Sequence, residues 1–336
     1  MSVGSSMLAI TLSFALQRRV HRLAKECEKT GRVACVLVAV WFASTAHAGG
    51  ITLSPEAAQA LDEIYAGDSD AAIRIAHAIE QAQPESPLGY LLEGEAEWWK
   101  TYCAASEIKR GEFDAWNRAK EPEDDARFAL ADKAIALARA RLAQSETAEM
   151  HVYTGLGFAH KARLYGLREE RRNIARAGVA GRSEFLRALE LDPDMADATA
   201  GVGLYNYHVD ALSAFAKILR LFMRIPGGSK QEGIRQMAIG AERGVFFAVD
   251  ARFYLATNLR TFDERYEDAL SFTEPLIARY PRNAIFLLLA GNLNLELGRN
   301  AEAAEYFYAA LDSPDPDPDC AARVRDLANS FLASRD

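Results

Sequence analysis

A chain of 336 residues and 37.0 kDa has room for about two ordinary globular domains or one array of repeats. Half of it is apolar, 26% is charged, and Gly and Pro together fill 33 positions, which excludes wholesale disorder, a collagen-like rod and a small disulfide scaffold. Lys and Arg number 39 against 47 Asp and Glu; a net charge of −8 offers no general field for phosphate backbones and argues against a nucleic-acid partner.

The first element in chain order is a targeting segment. Arg18, Arg19, Arg22, Lys25, Lys29 and Arg32 precede the apolar run from Val33 to Ala43, and Ala46-His47-Ala48 fits the A-x-A cleavage pattern before Gly49. As a helix that run rises about 16 Å, well short of the ~30 Å hydrocarbon core, so a stable membrane span is not expected. Residues 1–48 are predicted to be a cleavable signal peptide, which implies export to the periplasm or cell envelope; a buried N-terminal helix is the competing reading. Removing them takes away a net +4 and leaves −12. Cys27 and Cys35 go with the segment. Cys103 and Cys320 stay, and in an elongated array two residues so far apart in sequence are expected as separate buried thiols.

From residue 53 the chain reads as successive helix pairs. In a frame 53–86, Gly67, Ala72, Ala76, Ile79 and Pro84 space a short pair. The stretch 87–149 is the least regular and reads as one long pair with an inserted turn or short helix around Arg110 to Lys120, followed by a helix start at Glu121-Pro122-Glu123-Asp124. Glu149 to Pro193 forms a lengthened pair. The unit around Gly201-Val202-Gly203-Leu204-Tyr205 is longer still and carries an insert from Ala211 to Ile225.

Asp250 to Asn283 and Ala284 to Asp317 then share their spacing: Phe253 falls over Leu287, Ala256 over Ala290, Asn258 over Asn292 and Ala269 over Ala303, each offset being 34. Small residues let antiparallel helices approach and large apolar ones fill the remainder; one pair cannot bury its apolar face alone, so pairs stack and need a polar cap. Val324, Leu327 and Phe331 at helical spacing mark that cap over 319–334, with Asp319 as its expected N-cap. No strand is expected, since Leu and Ala rather than β-branched residues fill the apolar runs.

These residues resemble the tetratricopeptide repeat family, and the chain is similar to exported bacterial members of it. The resemblance is carried by Leu287, Ala290, Gly291, Gly298, Ala303, Phe307 and Ala310, by Phe253, Ala256, Ala269 and Pro281, and by the frame 53–86. It implies an all-α, right-handed α-solenoid of about six helix pairs over 49–336, with a C-terminal capping helix. It also implies a concave groove that holds a protein or peptide partner at set positions of each pair's first helix. On this sequence the groove residues are Tyr254, Asn258, Leu288 and Asn292, joined by Tyr207 and His208 where the insert begins. An Asn ladder suits an extended peptide, because each amide offers both a donor and an acceptor.

Catalytic and cofactor motifs are not found. There is no His-Glu-x-x-His, and His77, His151, His160 and His208 are not paired at i, i+4; Pro226-Gly227-Gly228-Ser229-Lys230 lacks the P-loop frame; Gly-x-Ser-x-Gly does not occur. The expectation is a scaffold in the cell envelope with no enzymatic activity, cofactor or metal. A second surface is the insert: Leu212, Phe215, Ile218, Leu219 and Phe222 recur at three and four, with Lys217, Arg220 and Arg224 on the other face. Such a basic amphipathic helix over 211–225 either packs on its own solenoid or lies on an anionic membrane surface, where it would serve an envelope assembly factor.

Overall fold

A computed structural model of the chain describes residues 50–109, 112–114, 120–212, 217, 220, 224–313 and 316–333. The chain divides into two compact units, Met1–Ala48 and Gly49–Asp336. All that follows concerns the second; the signal-peptide expectation falls outside the described residues.

The described residues form thirteen helices and one hairpin: α1 (Pro55–Ala66), α2 (Ser69–Ala82), α3 (Leu88–Ala105), β1 (Glu107–Lys109), β2 (Glu112–Asp114), α4 (Asp124–Leu142), α5 (Ala148–Leu167), α6 (Arg171–Leu191), α7 (Ala196–Ala211), α8 (Lys230–Arg243), α9 (Ala248–Asp263), α10 (Tyr266–Arg279), α11 (Ala284–Glu296), α12 (Asn300–Leu311) and α13 (Pro318–Ala333). Six successive pairs and a capping helix make an α-solenoid, as the 34-residue spacing predicts. The hairpin differs from the expectation. β1 and β2 pair antiparallel with Ile108 opposite Phe113, where the sequence predicts a turn or short helix and no strand. Glu107-Ile108-Lys109 and Glu112-Phe113-Asp114 alternate about an Arg-Gly dipeptide, a period of two.

Local chemistry sets the helix ends. Ser54 caps α1 by accepting from the Ala57 N–H with Pro55 at the first turn, and Gly67, at φ 95°, ends it in a conformation a side chain would strain. Asp68, Thr147, Ser229 and Asn283 cap α2, α5, α8 and α11. The cap of α13 is Asp317, whose Oδ1 accepts from the Cys320 N–H at 2.9 Å; the expected Asp319 sits within the first turn, because Pro318 takes the first helical position.

Close approach between paired helices depends on glycine. A Cβ on Gly203 of α7 would meet the Gly233 carbonyl of α8 at 2.9 Å, and one on Gly233 would meet the Gly203 carbonyl at 2.7 Å. A Cβ on Gly291 of α11 would stand 2.5 Å from the Phe307 ring of α12.

The solenoid does not stay open. It curls until its first helices meet its last, and α13 packs against α3. Trp99 of α3 packs its ring against Tyr65 of α1, Phe253 of α9 and Phe286 of α11, at centroid distances of 5.7, 4.9 and 5.6 Å. Asn283 Nδ2 donates to the Tyr65 carbonyl at 2.9 Å, Arg279 Nη2 to Asp62 at 2.8 Å, and Arg323 Nε to the Ser106 carbonyl at 2.5 Å. Cys103 of α3 and Cys320 of α13 form a disulfide with a Cα separation of 5.1 Å. The expectation of two separate thiols is thereby corrected: curvature brings together what a straight rod keeps apart.

Candidate functional site

The inner wall is built from the first helix of each pair. Tyr254, Asn258, Leu288 and Asn292 do lie on those helices, α9 and α11, but they do not line an open groove. Leu288 is fully buried, Asn258 is 4% exposed and Asn292 2%. Asn292 Oδ1 accepts from Arg260 Nε, and the Asn258 carbonyl accepts from the Tyr207 hydroxyl at 2.9 Å. Tyr207 is also buried, with its hydroxyl 2.6 Å from Asp263 Oδ2. Tyr254 is half-buried, and its hydroxyl accepts from Trp98 Nε1 at 3.1 Å. His208 alone among the six is exposed, its ring edge-on to Phe262. The open peptide groove is corrected for a physical reason. Thirty-four-residue spacing fixes which helices neighbour one another, whereas the tight curl lets α3, with Trp98, Trp99 and Tyr102, fill the hollow.

What the inner wall holds instead is a buried polar network that sequence reasoning missed. Glu95 of α3 accepts from Arg163 of α5 through both guanidinium ends, at 3.1 and 2.5 Å, and Glu95 Oε2 lies 2.9 Å from His160 Nε2. Arg163 Nη1 also donates to Asp250 Oδ2 of α9 at 3.1 Å, Asp250 Oδ1 accepts from Trp99 Nε1 at 3.2 Å, and the guanidinium lies over the Trp98 ring at 5.1 Å. Burial alone would raise the Glu95 pKa, but Arg163 and His160 outweigh it and hold the carboxyl well below the usual range. Asp250 goes the other way, raised by burial and by the charge of Glu95. His160 is lowered by burial and then by Arg163. Arg163 thus favours the charged form of Glu95, while burial disfavours the charged forms of Asp250 and His160. The sequence signals only one of these residues, Asp250, a charge inside the apolar run from Phe246 to Ala251, whereas Glu95 reads as one of three alternating glutamates with Glu93 and Glu97.

This arrangement ties α3, α5 and α9 together; it presents no nucleophile beside a base. A cleft next to the disulfide, lined by Trp99, Lys100, Cys103, Asn283 and Asp317, has about 30 Å³ of room, enough for a water or two and too little for a metabolite. Among the described residues no group of His, Cys, Asp or Glu is placed to hold a metal ion, and no helix is long and apolar enough to cross a membrane. Of the insert residues, Phe215, Leu219 and Phe222 lie outside the described residues. Lys217 pairs with Asp210 at 2.9 Å, Arg220 is half-buried and Arg224 is exposed. Large apolar side chains reach solvent beside the root of the insert: Phe262 is 46% exposed and Leu212, one turn on from His208, 40%.

Stacked helix pairs with small residues at their crossings define a helical-repeat scaffold. Residues 262–319, from the end of α9 to the start of α13, match the model of the tetratricopeptide repeat family. Repeats of this family generally mediate contacts between proteins. Among solved structures, the crystal structure of yeast Tom70 aligns at 11% identity over 81% of this chain and 87% of that one, with a TM-score of 0.28, too low a score to build on.

Proposed function

We propose that the protein is an exported, non-catalytic scaffold that holds a protein partner, and that it does so at the edge where α7 and α9 end rather than in the filled hollow. The observation that carries this reading is the exposed set His208, Leu212 and Phe262: an imidazole edge-on to one large apolar side chain, with a second large apolar side chain four residues along the chain, all turned to solvent. Residence in the envelope is supported by the Cys103–Cys320 disulfide, since such bonds persist in oxidising compartments and are rare in reducing ones. The test is a capture experiment from envelope extract with the native protein and a His208→Ala, Phe262→Ala double variant, both checked for an unchanged melting temperature. A partner held by the native protein and lost by the variant supports the reading; an unchanged partner set overturns it.

A second reading, attachment to an anionic membrane surface through 211–225, is supported by Leu212 and Arg224, an apolar and a cationic side chain exposed at the two ends of the insert. Sedimentation with phosphatidylglycerol vesicles tests it. Loss of binding in an Arg220→Gln, Arg224→Gln variant supports surface attachment, and no sedimentation of the native protein overturns it.

A further inference from the structure

Several half-buried arginines of this molecule have an acidic partner, as Arg163 has Glu95 and Asp250, Arg168 has Asp124, and Arg127 has Glu97 and Glu121, and others, Arg252 and Arg323, donate to the carbonyls of Ala241 and Ser106. Arg182 of α6 and Arg220 of the insert do neither. Both are half-buried, the Nε of each is shielded from solvent, and neither donates a hydrogen bond or forms an ion pair among the described residues. Both converge on one phenol. The Arg182 guanidinium sits 5.3 Å from the centroid of the Tyr205 ring, and the Tyr205 hydroxyl donates to the Pro226 carbonyl at 2.9 Å. At the next residue, Gly227, a Cβ would come 2.8 Å from Arg220 Nη1, so the guanidinium lies directly against that backbone. The charges of both arginines draw the Tyr205 pKa down, though burial outweighs them and leaves it raised.

Two like charges set about one half-buried hydroxyl repel, and desolvation weakens whatever water does for them. The acid closest in sequence to Arg220, Asp210, is already engaged by Lys217 and by the Lys230 N–H, and the one closest to Arg182, Glu184, lies 2.7 Å from His151 Nδ1. Residues 211–225 contain no Asp or Glu of their own. A fork of guanidinium N–H groups is the side-chain geometry that matches an oxyanion, with donors to spare for two oxygens on each arginine.

We infer that Arg182 and Arg220, set about Tyr205, form a binding site for a phosphoryl group between α6, α7 and Arg220, supplied either by free phosphate or by the headgroup of an anionic phospholipid. The site goes beyond the scaffold reading and does not depend on it: it faces α6, whereas the proposed partner edge lies on the α9 side of α7.

The test uses the full protein, with inorganic phosphate and chloride at matched ionic strength as probes. Phosphate is expected to raise the melting temperature of the native protein, and an Arg182→Gln, Arg220→Gln variant to lose that response while melting in chloride no lower than the native protein, since a repulsion has been removed. An Arg220→Lys variant keeps the charge but not the fork and is expected to weaken phosphate binding about tenfold. Phosphatidylglycerol vesicles distinguish the source: binding competed by phosphate and abolished in the double variant assigns the site to a headgroup, and phosphate binding without vesicle binding assigns it to the free ion. Equal melting of the native protein in phosphate and chloride, with no phosphate-sensitive vesicle binding, overturns the proposal, as does a double variant that melts lower in chloride.

Discussion

Cys103 and Cys320 stand 217 residues apart in sequence, and their Cα atoms lie 5.1 Å apart. The bond between them joins the second helix pair to the capping helix, so it closes nearly the whole array into one loop. Chain-entropy arguments assign a bridge over so long a loop up to about 5 kcal/mol, of which about 2–4 is the usual yield. A Cys103→Ser, Cys320→Ser variant is therefore expected to unfold at clearly lower denaturant concentration. Its slope should be steeper, because the unbridged denatured chain exposes more surface. Thiol titration of the denatured native protein, with and without reductant, checks that the bridge is present.

The Glu95–Arg163 pair is expected to behave as a buried ion pair. Replacing Arg163 with Met leaves Glu95 charged and enclosed, at a cost of about 3–5 kcal/mol. A Glu95→Gln, Arg163→Met double variant should lose much less than the sum of the two single changes, and a double-mutant cycle from denaturant titrations measures that coupling. Additive losses would show that the two side chains act separately.

Stability should depend on pH through His160. Its folded-state pKa is below the ordinary 6.5, first through burial and then through Arg163, so the unfolded chain binds a proton there that the folded chain refuses. Unfolding is therefore favoured as pH falls below about 6.5, and the contribution is fully present above it. Melting curves between pH 5 and 7 should fall more steeply with acid for the native protein than for His160→Gln.

Glu80 works in the opposite sense. Burial, together with the neighbouring Glu93, raises its carboxyl to about 7, against the pull of His77. A raised acid gives stability that is present below about 4.5 and lost as pH rises through 7. Glu80→Gln mimics the protonated form. It should melt with the native protein at pH 4.5 and above it at pH 8, by no more than about 1 kcal/mol given the solvent access of the site.

Gly291→Ala probes the repeat crossing itself. The new methyl would meet the Phe307 ring, which is fully buried and stacked on Phe331, so it has little room to yield. A loss of about 1–3 kcal/mol is expected, read from chemical denaturation.

The helix pairs were legible in the sequence because each reports its own neighbours: Gly67 and Pro84 bound α1 and α2, and Gly291 sits against Phe307 one helix later. The curl was not legible. Whether Asn258 and Asn292 face a hollow or a filled wall depends on the angle summed over six crossings, and no single spacing records that sum. The bridge between Cys103 and Cys320, the meeting of Trp99 with Phe253 and Phe286, and the network around Arg163 all follow from the curl and were hidden with it. The hairpin at 107–114 was missed for a different reason, its period of two being too short to register against a frame of 34. Arg182 and Arg220 were visible only as basic residues, since nothing in a sequence shows that a cation lacks a counterion.

Closure also constrains how such a chain can change over generations. An open rod of repeats tolerates duplication or deletion of a unit, because each unit answers only to the next. Here Tyr65 must reach Phe286 through Trp99, and α13 must arrive beside α3. Adding or dropping a unit would leave those partners out of register, so the count of six is held by the geometry of the join rather than by any one repeat.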